Sequence, residues 1–89
     1  MTNERRRKMP FRGYSSGLIK QIMDAHAADP DHIGVQLGLA CINGNVPVHQ
    51  VAEELGVARI SVYKWFTGKF YPAKLEHRNR MAAMIAQLS

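Results

Sequence analysis

Residues 48–66 read VHQVAEELGVARISVYKWF, and the fold turns on this stretch. Val48, Val51, Ala52 and Leu55 recur at the spacing of one helical face, with His49, Gln50, Glu53 and Glu54 on the other side. Gly56 ends that helix, and past Gly56-Val57-Ala58 a second runs from about Ala58 to Thr67 and stops at Gly68. A turn this short sets two helices at a steep angle, about 90–120°. Gly56 is expected at positive φ, where a side chain costs roughly 1 kcal/mol or more. Ala52 has to be small because the second helix crosses the first there. Val57 plugs the corner, and Val62, Trp65 and Phe66 form the inward stripe of the second helix.

If that stripe faces in, Ile60, two residues from Val62, is turned roughly 200° away and faces out. Arg59, Ile60, Tyr63, Lys64 and Thr67 then share the exposed side. An isoleucine beside two cations and a tyrosine is poor solvent-facing surface and suits a DNA major groove. Arg59 can fork to guanine O6 and N7, Ile60 can meet a thymine methyl, and Lys64 can reach guanine or phosphate.

Outward from this core stretch, every segment reads as helix. Ser15 or Ser16 caps a first helix with Leu18, Ile19, Ile22, Met23 and Ala25 on its apolar side. Asp29-Pro30 stops it and is read as the start of a second, about 30–43, with Asp29 as cap. That second helix is apolar nearly all round, which predicts burial on several sides, and Gly34 and Gly38 leave a groove for a neighbouring helix. Asn43-Gly44-Asn45 supplies a left-handed stop, and Pro47 opens the helix of residues 48–55. After Lys69-Phe70-Tyr71, Pro72 opens a fifth, about 73–88, with Leu75, Met81, Ala82, Met84, Ile85 and Leu88 on its apolar side. The expected fold is all-α: a small bundle of about five helices in one domain, 16–89, behind a basic arm, 1–15, that stays out of the core.

Eighty-nine residues make one small domain without room for a deep catalytic cleft. Charge is segregated along it. Residues 1–16 carry Arg5, Arg6, Arg7, Lys8 and Arg12 against Glu4, a net +4. Residues 17–57 carry Lys20 against Asp24, Asp29, Asp31, Glu53 and Glu54, a net −4. Residues 58–89 carry Arg59, Lys64, Lys69, Lys74, Arg78 and Arg80 against Glu76, a net +5. Two basic segments flanking an acidic one point to a polar molecule with a face for a polyanion.

The stretch resembles the helix-turn-helix DNA-binding family, in its Cro and repressor-like branch found in phages and bacteria. Ala52, Leu55, Gly56, Val57 and Val62 carry the resemblance, GVARISVYKWFTG is similar to the family's recognition-helix pattern, and Pro72 falls where such domains begin the next helix. The resemblance implies a helix-turn-helix at 47–67 with base contacts from Arg59 and Ile60, then Tyr63 and Lys64. It implies backbone contacts from His49 and Gln50. Thr67, Lys69 and Tyr71 would grip the same strand, and Arg5, Arg6, Arg7 and Lys8 resemble the basic arms of some relatives. The expected function is sequence-specific regulation of transcription, as a repressor, on double-stranded DNA.

A domain this small reads few base pairs, so a homodimer on a two-fold site is expected. Spare surface for pairing is sought on the fifth helix and on the apolar second helix. Two rivals stand beside this reading. One is a DNA-packaging or architectural protein of the same motif; the other is an adaptor or inhibitor that sets the Ile60–Tyr63 side against a host protein. No cofactor, metal or enzymatic activity is expected: the four histidines form no i+3 or i+4 pair, HExxH is absent, and the serines lack a local base. Cys41, the one cysteine, reads as a small core residue. No apolar run or leader pattern calls for a membrane, so the cytoplasm is the expected location.

Overall fold

The computed structural model describes residues 14–88, and the basic run Arg5, Arg6, Arg7 and Lys8 lies outside them. Five helices follow in order: α1 (Ser16–Ala28), α2 (Ile33–Gly44), α3 (Val48–Leu55), α4 (Arg59–Phe66) and α5 (Leu75–Leu88). The described residues contain no strand. The protein is a small all-α bundle, as expected, and no helix is long and apolar enough to cross a membrane among the described residues.

α2 is the axis of the bundle and packs against α1, α4 and α5. Its two glycines explain how. A Cβ on Gly34 would lie 2.7 Å from the Trp65 carbonyl oxygen, and one on Gly38 would lie 3.1 Å from Cγ of Phe66. α4 therefore meets α2 backbone to backbone at Gly34, where only hydrogen fits, and packs the Phe66 ring tightly over Gly38. Leu88 lies against Gly44 at the far end, closing α5 onto α2. Met81 and Met84 are buried, and Ile85 and Leu88 pack half-buried against the same core. Much of the apolar surface of α2 and α5 is thus covered within the chain, while Leu75 at the start of α5 stays exposed.

Helix ends differ from expectation at two places. α1 is capped by Ser15, whose Oγ accepts from the Leu18 amide, as read. α2 starts at Ile33 rather than Pro30, and its cap is His32, not Asp29. The buried imidazole accepts through Nδ1 from the amides of Gly34 and Val35, at 3.1 and 3.4 Å. With Nδ1 accepting, Nε2 carries the proton and donates to the Phe70 carbonyl at 3.0 Å. Pro30 and Asp31 form a turn instead, and Gln36 Nε2 donates to the Pro30 carbonyl. α5 likewise begins at Leu75, because the Arg78 guanidinium takes the carbonyls of Pro72 and Ala73, at 2.9 and 2.7 Å. Leu75 and Ala82 face solvent, as does Met23 on α1, although the sequence spacing puts all three on apolar sides.

The segment read as an arm enters the core at its last aromatic. Tyr14 is among the largest fully buried side chains, and its hydroxyl donates to the Val46 carbonyl at 2.9 Å. Burial raises its pKa above the ordinary tyrosine value, with the neighbouring Cys41 adding to the effect. Cys41 is buried as expected, and burial pushes its thiol up to about 12.

Candidate nucleic-acid interface

The chain bends between α3 and α4 as read from the sequence. Gly56 has φ 69°, and its amide and that of Val57 close the end of α3 on the carbonyls of Glu53 and Ala52. Ala52 is buried, and Val57 packs half-buried against the core. Ala58, extended at φ −73° and ψ 152°, starts α4. Val62 and Phe66 are fully buried; Trp65 is half-buried, its ring 5.4 Å from that of His77 on α5. Trp65 is thereby a packing residue between α2 and α5.

With that stripe buried, the 100° step of the helix turns Arg59, Ile60 and Lys64 outward. Ile60 is 60% exposed, one of five large hydrophobic side chains left open among the described residues, with Met23, Phe70, Tyr71 and Leu75. Tyr63 and Thr67 are half-buried, a partial departure from a wholly exposed stripe. Tyr63 packs against the core, and the Thr67 hydroxyl donates to the Tyr63 carbonyl at 2.7 Å. Ile60, Tyr63, Lys64, Thr67 and Lys69 line one groove of about 250 Å³, closed on its far side by Leu18 and Gln21 of α1. Lys64 bends over Phe70, its Nζ 5.0 Å from the ring centroid.

A second, wider cavity of about 470 Å³ lies at the bend itself. His49 and Arg59 line it together with Glu53. The turn brings Glu53 to the same cavity as Arg59, because i+4 from His49 is the same side of α3. Glu54 does lie elsewhere, with its carbonyl bound by the Arg80 guanidinium at 3.0 Å. Gln50 goes with it: it lines a small cleft of about 70 Å³ with Val46, Glu54, Met84, Gln87 and Leu88. The expected pairing of His49 with Gln50 is therefore split between two sides of α3. Lys69 and Tyr71 are exposed, and Tyr71 stands edge-on to His32 with Arg78 above its ring.

Electrostatics at the helix starts favour an anion. Neither α3 nor α4 has a side-chain cap, and neither carries an acid in its first turn. Their leading amides keep the partial positive charge of a helix N-terminus. Arg59 at the first position of α4 adds a full charge to that end, an arrangement the helix itself disfavours.

Sequence reasoning missed three contributors. Leu18 and Gln21 form a wall of the groove along α4, and Phe70 carries Lys64 on its face. No local signal marks them, since α1 meets α4 only through the tertiary packing. Comparison with protein-family models, curated proteins and solved structures returns no match for this chain.

Proposed function

We propose that the protein is a helix-turn-helix regulator that binds specific sites in double-stranded DNA, with α4 in the major groove. The observation that carries the reading is the outward side of α4: Arg59, Ile60 and Lys64 exposed together at an uncapped helix start. Arg59 at the first turn matches the place from which a recognition helix reaches base edges, and Ile60 beside it offers an apolar contact to a thymine methyl. Lys64 and Lys69, along the groove, would hold phosphates and fix the register. The leading amides of α3, next to exposed His49, would take a phosphate of the adjoining backbone. The buried Val62 and Phe66 keep that side rigid, so base contacts cost little side-chain ordering beyond the long cations themselves. The protein would act as a homodimer, repressing transcription in the cytoplasm of a bacterial or phage-infected cell.

The test is selection of bound duplexes from a random pool, followed by a salt titration on the winning sequence. Arg59→Ala is expected to relax preference at one base pair and to cost about 1–3 kcal/mol of affinity. Alanine in place of Arg5, Arg6, Arg7 and Lys8 is expected to weaken all duplexes alike and to flatten the salt slope. Unchanged preference in Arg59→Ala removes the assignment of the reading side. Absence of any duplex binding at moderate salt favours a protein partner instead, and a ring-sized assembly favours DNA packaging.

A further inference from the structure

The ammonium of Lys64 is held by a ring rather than by an acid. Its Nζ stands 5.0 Å from the Phe70 centroid, and among the described residues it makes no ion pair. A lysine side chain is long and rotamer-rich, so the contact that fixes its head decides where the charge is found. Phe70 is itself exposed, and core packing does not fix its ring. Its backbone does. The Phe70 amide donates to the Lys64 carbonyl at 3.3 Å, beside the Lys69 amide at 2.9 Å. The Phe70 carbonyl accepts from His32 Nε2 at 3.0 Å. α4 thus holds one side of this residue and the start of α2 holds the other, which leaves its backbone little freedom to turn the ring away.

His32, 38 positions earlier in the chain, can anchor the loop because it is fixed itself. Its ring is buried, and Nδ1 accepts from the amides of Gly34 and Val35. Tyr71 meets it edge-on, with centroids 5.0 Å apart. A Cβ on Gly34 would lie 3.0 Å from the imidazole Cε1, so the glycine makes room for this ring as well as for Trp65. Capping α2 needs only an acceptor, which a serine, threonine, aspartate or asparagine supplies. Histidine adds a donor on the far side of a rigid ring, and that donor goes to the loop.

We propose that His32 is a positioning residue for DNA contact by Lys64. It fixes the Phe70 backbone, the backbone aims the ring, and the ring holds the ammonium beside the groove along α4. This role rests on the DNA-binding reading and deepens it. His32 is buried and meets no duplex itself. A phosphate that finds an ammonium already in place is spared the ordering of a long side chain, which is worth about two- to tenfold in affinity. The two nitrogens of one imidazole therefore divide their work: Nδ1 serves the stability of α2, and Nε2 serves binding.

Three substitutions in the full chain separate these duties. His32→Asn keeps an acceptor for the Gly34 and Val35 amides but is too short to reach Phe70. His32→Gln reaches Phe70 with its amide nitrogen but gives up the cap. Phe70→Leu removes the ring at an exposed position, where folding is not at stake. One readout is the nuclear magnetic resonance of the Lys64 ε-methylene in the free chain, assigned by its absence in Lys64→Arg. The other is affinity for the duplex won from the random pool. In the natural chain the resonance is expected upfield of the other lysines, because the ring current shifts it. His32→Asn and Phe70→Leu are each expected to return it to the free-lysine position. Each is also expected to weaken duplex binding about two- to tenfold, with helical circular dichroism unchanged. His32→Gln is expected to keep the shift and the affinity while unfolding at lower denaturant. In a Lys64→Ala background, His32→Asn is expected to change affinity by less than about twofold. An upfield resonance that survives His32→Asn overturns the proposal. So does a loss of affinity as large without Lys64 as with it, full affinity in Phe70→Leu, or a His32→Gln chain that behaves as His32→Asn does. A natural chain that binds no duplex sinks the DNA reading, whereas the free-chain resonance still decides whether His32 places the ammonium.

Discussion

Along the seam between α2 and α4, space is accounted for to a few tenths of an ångström: Gly34 admits the Trp65 backbone and Gly38 admits the Phe66 ring. On the opposite side of α4, Arg59 and Ile60 project into solvent, and Lys64 finds only the ring of exposed Phe70. The two sides share eight residues and one backbone. Their difference separates what holds the helix from what the helix holds out. Substitutions on the seam should move stability, and those on the outer side should move binding alone.

Phe66→Ala is the strongest way to break that division. It empties a fully buried site between α2 and α4 and is expected to cost about 3–5 kcal/mol, read as a lower midpoint in chemical denaturation. A loss much smaller than this means the seam is not the centre of the fold. Gly34→Ala comes next. A helix interior gains about 1 kcal/mol from this change, yet the new methyl meets backbone that cannot rotate away. The expected net cost is about 2 kcal/mol, within the usual range for overpacking. A more stable variant would show that α4 does not approach α2 so closely.

Gly56→Ala isolates a different cost. Nothing lies within 4 Å of a Cβ there, so only the positive φ of 69° opposes it, at about 1 kcal/mol. Comparing Gly56→Ala with Gly34→Ala in one denaturation series thereby separates backbone strain from crowding. Arg59→Ala has the smallest expected effect on the fold, within about 0.5 kcal/mol, while the proposed duplex preference is expected to change. Should Arg59→Ala lower the melting temperature as Gly34→Ala does, the two sides of α4 are not independent.

Much of the candidate site was legible from residues close together in the chain. The bend at Gly56, the buried Val62 and Phe66, and the exposure of Arg59, Ile60 and Lys64 follow from periodicity and from glycine's backbone freedom. Half-burial of Tyr63 and Thr67 did not, because it depends on how closely α1 and the core approach the edge of that stripe. The meeting of Glu53 and Arg59 was hidden for a similar reason: the sequence shows both charges but not that the turn brings them to one cavity.

Helix number, the left-handed stops at Asn45 and Gly56 and the amphipathic sides are properties of the sequence by itself. Each is decided by steric preferences and hydrophobic spacing within a few residues. The tertiary structure alone decided that His32 caps α2 while holding Phe70, 38 residues away, and that Tyr14 anchors on Val46, 32 residues away. It also turned Leu75 outward while burying Met81 and Met84 of α5 against the core. A polar group leaving water takes whichever partner packing delivers, and an apolar side chain is buried only if another element arrives to cover it. Those arrivals depend on the whole assembly, which no local pattern records.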